Sequence, residues 1–167
     1  EKNKFFSELL NVNQAKKINF FKNTNKKYNE FLIIGGGNSF TNNLKRVEKY
    51  IKVKKPCVLL LNYNDQLSPN NIDFILTINP LKMIEISKNK NLIKNTIITP
   101  KNLFSKNLLK DIKNIFYFNS HINDDSQIGM DKANLVLSYA IHFASSLNSK
   151  KITFVGIDGY KNKKYDN

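Results

Sequence analysis

The sequence predicts an α/β domain with a mainly parallel sheet, arranged as a Rossmann-like three-layer sandwich. Three observations carry that expectation. Short apolar runs without alternation recur along the chain, among them FLIIG (31–35) and VLLLN (58–62), as in strands buried on both faces. Stretches with apolar residues at three- and four-residue spacing lie between them. The runs end in glycine, asparagine or proline, the punctuation of strand-to-helix turns. Strand and helix alternating in this way point to a parallel sheet.

Residues 1–30 are rich in lysine and asparagine, with apolar points at Phe5, Phe6, Leu9, Leu10, Ile18, Phe20 and Phe21. We read 1–30 as a helical lead-in or linker and 31–167 as the domain. After the first strand, FLIIG, Ser39 or Thr41 can cap a helix running to about Val53, with Leu44, Val47, Tyr50 and Ile51 on one face. VLLLN (58–62) is the second strand, and DFILTIN (73–79) is a third, stopped by Pro80. A helix over 81–89 begins near that proline. Strands follow at 95–99 and 114–119, separated by a helix over 103–113. The longest helix, 131–148, is apolar on most of its circumference and so expected to be largely buried. KITFVGID (151–158) closes the series.

Bulk properties narrow the function classes. A chain of 167 residues fits one domain and is long enough to bury a sizeable core. No apolar run is long enough for a membrane helix and no signal-peptide pattern opens the chain, so a cytoplasmic protein without a membrane span is expected. The chain does not begin with Met and is read as a piece of a longer protein. The net charge of +14 invites a nucleic-acid reading, but Arg46 is the only arginine and the lysines come with a great excess of asparagine. That composition follows from A/T-rich codons, whereas nucleic-acid readers favour the planar arginine fork. No nucleic-acid partner is therefore expected. Cys57 is the only cysteine and heads an apolar run, which fits a small buried residue.

In open parallel sheets ligands bind beyond the carboxyl ends of the strands. Those ends read Gly35-Gly36-Gly37-Asn38-Ser39, Asn62-Tyr63-Asn64, Asn79-Pro80, Asn119-Ser120-His121 and Gly156-Ile157-Asp158. Uncharged hydrogen-bonding groups dominate, a rim suited to a nucleotide or nucleotide sugar. GGGNSF is neither the dinucleotide fingerprint, which needs glycine where Phe40 stands, nor a Walker A loop. It can present backbone N–H groups of Gly36–Ser39 to a phosphate at a helix start, or be a plain turn needing glycine for positive φ. Asp158 can contact a ribose or sugar hydroxyl, or orient its own loop. Asp124, Asp125 and Asp131 fit a solvated loop, and no metal site is expected. His121 sits on the rim as a possible acid or base, while His142 shares a helix face with Asn134 and Ser138. No catalytic set assembles from these residues.

The series IIGGGNSF, LLLNYN, ILTINP and a long apolar helix running into KKITFVGIDGY resembles bacterial sialyltransferases of the Campylobacter type. It resembles still more closely the C-terminal domain of 4-hydroxy-2-oxovalerate aldolase-like proteins from surface-polysaccharide gene clusters. The hydroxymethylpterin pyrophosphokinase domain is a more distant relative. The resemblance spans about Phe31 to Tyr160. It implies that Gly35, Gly37, Ser39, Asn62 and Asn79 contact a CMP-type nucleotide, with Asp158 beside them. Tyr160 and Tyr165 are the tyrosines available to steady a leaving phosphate. It also implies an upstream catalytic domain in the same chain. Two features of the sialyltransferases are missing: the region before the long helix reads IGMDKAN, and no histidine follows the Gly-Ile-Asp strand. The expectation is a nucleotide- or nucleotide-sugar-binding domain of an aldolase-type protein. An active glycosyltransferase using a CMP-activated sugar, or a non-catalytic interaction domain, stands as the alternative.

Overall fold

The computed structural model describes residues 28–89, 91–92, 95–100, 112, 114–118 and 136–158. These residues form six parallel strands in one sheet: β1 (Glu30–Ile34), β2 (Cys57–Leu61), β3 (Phe74–Leu76), β4 (Thr96–Pro100), β5 (Ile115–Phe118) and β6 (Lys151–Val155). The spatial order is β5-β4-β3-β2-β1-β6. The chain steps outward from β1 to β5 and then returns to the far side of β1. Helices α1 (Asn38–Thr41) and α2 (Leu44–Lys54) follow β1, α3 (Pro80–Lys88) follows β3, and α4 (Val136–Ser146) precedes β6. The expected Rossmann-like α/β sandwich is the architecture observed. The expected helix over 103–113 and the lead-in up to residue 27 lie outside the described residues.

The central strands are apolar on both faces because both faces are covered. On one face Leu32, Ile34, Val58, Leu60, Ile75 and Ile97 pack with Val47 of α2 and with Met83 and Ile86 of α3. On the other, Phe31, Ile33, Leu59, Phe74 and Ile98 meet Ala140, Phe143 and Ala144 of α4. Right-handed crossovers require this split once the direction of travel reverses. Phe143 fastens α4 to the sheet, edge-on to Phe31 at 6.1 Å and to Phe74 at 5.1 Å between ring centres. Cys57 is buried, as expected for a small apolar-run residue. No helix among the described residues is long and apolar enough to cross a membrane.

Two local expectations differ from the structure. The helix after β1 is not continuous: α1 ends at Thr41 and α2 starts at Leu44, with no side-chain cap on either. The Ser39 hydroxyl, expected as a cap, is engaged elsewhere, as described below. Strand β3 is only three residues long, because the chain turns after Thr77 to start α3 at Pro80.

At the amino end of the sheet a polar network holds β6 to β1. Glu30 pairs in register with Lys151. The Glu30 carboxylate accepts from the Tyr50 hydroxyl, from Thr153 Oγ1 at 2.8 Å and from Lys151 Nζ at 2.9 Å. Lys151 also donates to the Tyr50 hydroxyl at 3.2 Å. Burial works against the charged form of Glu30, yet the bonds from Tyr50, Lys151 and Thr153 outweigh it and hold its carboxyl below the ordinary value.

Two expectations follow for stability. Phe74→Ala, at a residue 1% exposed, should cost about 3–5 kcal/mol in urea unfolding, because it leaves a cavity between the sheet and α4. Glu30, with its pKa lowered on folding, adds stability that is present above the ordinary glutamate range and lost as the pH falls through the lowered value. The melting temperature should therefore drop on acidification below about pH 4.3, and Glu30→Gln should flatten that part of the curve. An unchanged acid limb in the variant would place the sensitivity elsewhere.

Candidate functional site

Strand β1 lies between β2 and β6, and the chain leaves it toward β2 but returns to it through β6. This is the reversal in strand order where open α/β sheets bind ligands. The register sets Ile34 beside both Leu60 and Val155, so the turns after β1 and β6 emerge at the same height.

Those turns touch through their backbones. Gly35 N–H donates to Val155 O and Gly37 N–H to Gly156 O, each at 2.9 Å. Gly156 has φ +72°, a left-handed conformation that side chains disfavour. Gly35 and Gly37 lack positive φ, so the expected reason for glycine is corrected. They are glycine because the other turn is too close. A Cβ on Gly35 would overlap Gly156 O, and one on Gly37 would sit 2.8 Å from that oxygen and 3.0 Å from the Asp158 carboxyl. Gly36 is different. It is exposed, and a Cβ there would meet nothing within 4 Å.

Ser39 and Asp158 complete this clasp. Asp158 Oδ2 accepts from Ser39 N–H at 2.6 Å, and Oδ1 accepts from the Ser39 hydroxyl. The same hydroxyl accepts from Gly156 N–H at 2.9 Å. Of the four N–H groups expected to face a phosphate, those of Gly37 and Ser39 thus donate within the chain. Those of Gly36 and Asn38 have no acceptor among the described residues. Asn38 is exposed at the start of α1.

Along the rest of the rim, Asn62, Thr77 and Thr99 occupy one row across β2, β3 and β4. Asn62 N–H donates to Leu76 O at 2.8 Å and Thr77 N–H to Ile98 O at 3.0 Å, which extends the ladder by one residue. Asn62 adopts φ +56°, a region that asparagine tolerates. The fully buried Thr77 hydroxyl donates to Asn62 Oδ1 at 3.1 Å and accepts from Asn79 N–H at 3.2 Å. Asn79 is the N-cap of α3, its Oδ1 accepting from Leu81 N–H at 2.9 Å and Lys82 N–H at 3.4 Å. Both asparagines therefore use their carbonyl oxygens inside the chain, and their amide nitrogens have no acceptor among the described residues. Two buried side-chain atoms, Thr99 Oγ1 and Asn64 Nδ2, have no hydrogen-bond partner among the described residues.

Thr77 and Thr99 were not legible as site residues, because threonine inside TIN or IIT reads as a β-branched strand former. Tyr160, Tyr165, His121, Asp124, Asp125, Asp131 and Asn134 lie outside the described residues. His142 is half-buried on α4, away from the glycine turns in sequence and layer. Among the described residues no three His, Cys, Asp or Glu side chains gather to hold a metal ion.

A separate cleft of about 210 Å³ opens at the amino ends of β1 and β2, lined by Tyr28, Asn29, Glu30, Lys54, Lys55, Pro56 and Cys57. Its carboxylate, Glu30, is already bonded to three side chains, which leaves the lysines Lys54 and Lys55 as its charged groups and no convergent set of donors. The carboxyl rim, with its undirected N–H donors, is the better candidate. Comparison with protein-family models, characterised proteins and solved structures gives no match.

The four glycines should separate on substitution. Gly37→Ala should destabilise by about 1–3 kcal/mol through overpacking, whereas Gly36→Ala should stay within about 0.5 kcal/mol. Thermal melting of both variants checks this, and an equal loss at position 36 would mean that a side chain there meets the chain as closely as one at position 37.

Proposed function

We propose that this chain is a nucleotide- or nucleotide-sugar-binding domain of an aldolase-type protein in surface-polysaccharide biosynthesis. The observation that supports binding is the meeting of two glycine turns at the reversal of strand order, beside a row of amide and hydroxyl side chains. Recognition there rests on donors. The N–H groups of Gly36 and Asn38 meet phosphate oxygens, and the Asn62 and Asn79 amide nitrogens meet carbonyl or hydroxyl oxygens of base or ribose. Asp158 is a positioning residue in this reading: its carboxylate holds Ser39 and with it the shape of the turn. Its negative charge also favours a phosphate on the Gly36 side rather than over Ser39. The class of protein in which the domain sits rests on the resemblance carried by GGGNSF, LNYN, TINP and GIDGY.

Thermal melting with CMP, UDP, ADP and coenzyme A tests the reading. A ligand at 100 times its dissociation constant adds about 2.7 kcal/mol, a rise of about 5–10 °C for a domain of this size. One nucleotide of the panel should give that shift. Gly36→Leu should abolish it while leaving the ligand-free melting temperature unchanged, since the added side chain stands only in the path of the ligand. No shift with any of the four at millimolar concentration would overturn the proposal.

A further inference from the structure

Helix α2 concentrates the positive charge of the molecule. Between Lys45 and Lys55 stand six basic residues, Lys45, Arg46, Lys49, Lys52, Lys54 and Lys55, against one acid, Glu48. At the chain's average of 27 basic residues in 167, eleven residues would hold about two. This segment therefore carries about three times the chain's average density of basic residues. All six are exposed. With about 100° per residue, Lys45, Lys49 and Lys52 run down the middle of the outward face, with Arg46 and Val53 on one flank and the exposed Glu48 on the other. Among the described residues no carboxylate lies within ion-pair distance of any of the six. Like charges at i and i+4, as at Lys45 and Lys49, repel one another, and Glu48 is the one acid on the helix set against them.

We propose that this face of α2 docks the protein on an anionic lipid surface. The chemistry of the segment selects that partner. Five of the six cations between Lys45 and Lys55 are lysines, point charges suited to a diffuse negative layer; bidentate reading of nucleic acid calls for arginine. Base stacking needs aromatic rings, and the one ring on α2, Tyr50, is turned inward to Glu30. Val53, 64% exposed, lies within the charged face. There it can enter the headgroup boundary together with the lysine stems. The docking face is distinct from the glycine turns, so the inference stands whether or not a nucleotide binds there.

Co-sedimentation of the 167-residue chain with phosphatidylcholine vesicles, with and without about one-third phosphatidylserine, tests the inference at about 0.1 M salt, where charges act over about 10 Å. Binding should require phosphatidylserine and disappear near 1 M salt, where that range falls to about 3 Å. Each basic residue near such a surface is worth about five-fold, so the combined variant Lys45→Gln, Lys49→Gln, Lys52→Gln should bind about a hundred-fold more weakly. A second variant, Lys82→Gln, Lys88→Gln, Lys150→Gln, removes the same net charge elsewhere and should bind as the parent does. Both should keep the parent's circular dichroism, because every replaced side chain is at the surface. Equal weakening in the two variants would show that net charge, not the stripe, drives binding. That result, absence of binding to the anionic vesicles, or tighter binding to duplex DNA than to vesicles would each overturn the proposal.

Discussion

The contact between the Gly35–Gly37 turn and Gly156 is the constraint on which the carboxyl rim depends. It is a meeting of two backbones with no side chain between them, closed by the Ser39–Asp158 pair across 119 residues of sequence. Closing so long a loop carries an entropic cost, although that cost grows only slowly with length. The closure is met at both ends of β6. Glu30, Tyr50, Lys151 and Thr153 hold its amino end, and the glycine clasp holds its carboxyl end. Because β6 is an edge strand in the described sheet and Phe154 on it is 45% exposed, apolar burial alone holds it less firmly than it holds β1 or β2. Directed polar contacts do that work instead.

Much of the fold was legible because its signals are local. Buried parallel strands show as unbroken apolar runs, and Pro80 after asparagine marks a helix start within two residues. The misreadings share one cause. Ser39 has every property of a helix cap, but the acid that claims its hydroxyl lies 119 positions away, and no window on the sequence contains both. Asn79 is expected to contact a ligand and also caps α3; the two roles are compatible because a cap uses only the oxygen of the amide. The Asn62–Thr77–Thr99 row needed strand register, which spacing along one strand does not supply.

The described carboxylates clarify what the net charge of +14 means for the surface. Glu30 is tied to three side chains, Asp73 accepts from Val58 N–H at 2.9 Å, Asp158 holds Ser39 and Glu85 pairs with Lys82. Several acids thus serve the architecture, while the α2 lysines remain outside with no acid against them. The stripe escaped a search for charge runs because Val47, Glu48, Tyr50 and Ile51 interrupt it. Winding the segment into a helix turns Val47, Tyr50 and Ile51 away from the face.

Glycine usage separates what the fold requires from what it leaves unexplained. The chain has only 6 glycines in 167 residues, about half the ordinary share. Four of the six stand at the β1–β6 crossing. Gly35 and Gly37 are required by the proximity of the other turn, and Gly156 by its φ of +72°. Gly36 is required by neither, since a side chain there would project into open space. A glycine also costs conformational entropy on folding, and alanine would lower that cost without strain. A residue unfavourable for stability, unneeded for packing among the described residues and placed beside N–H donors without a described acceptor is where the proposed ligand would approach the backbone.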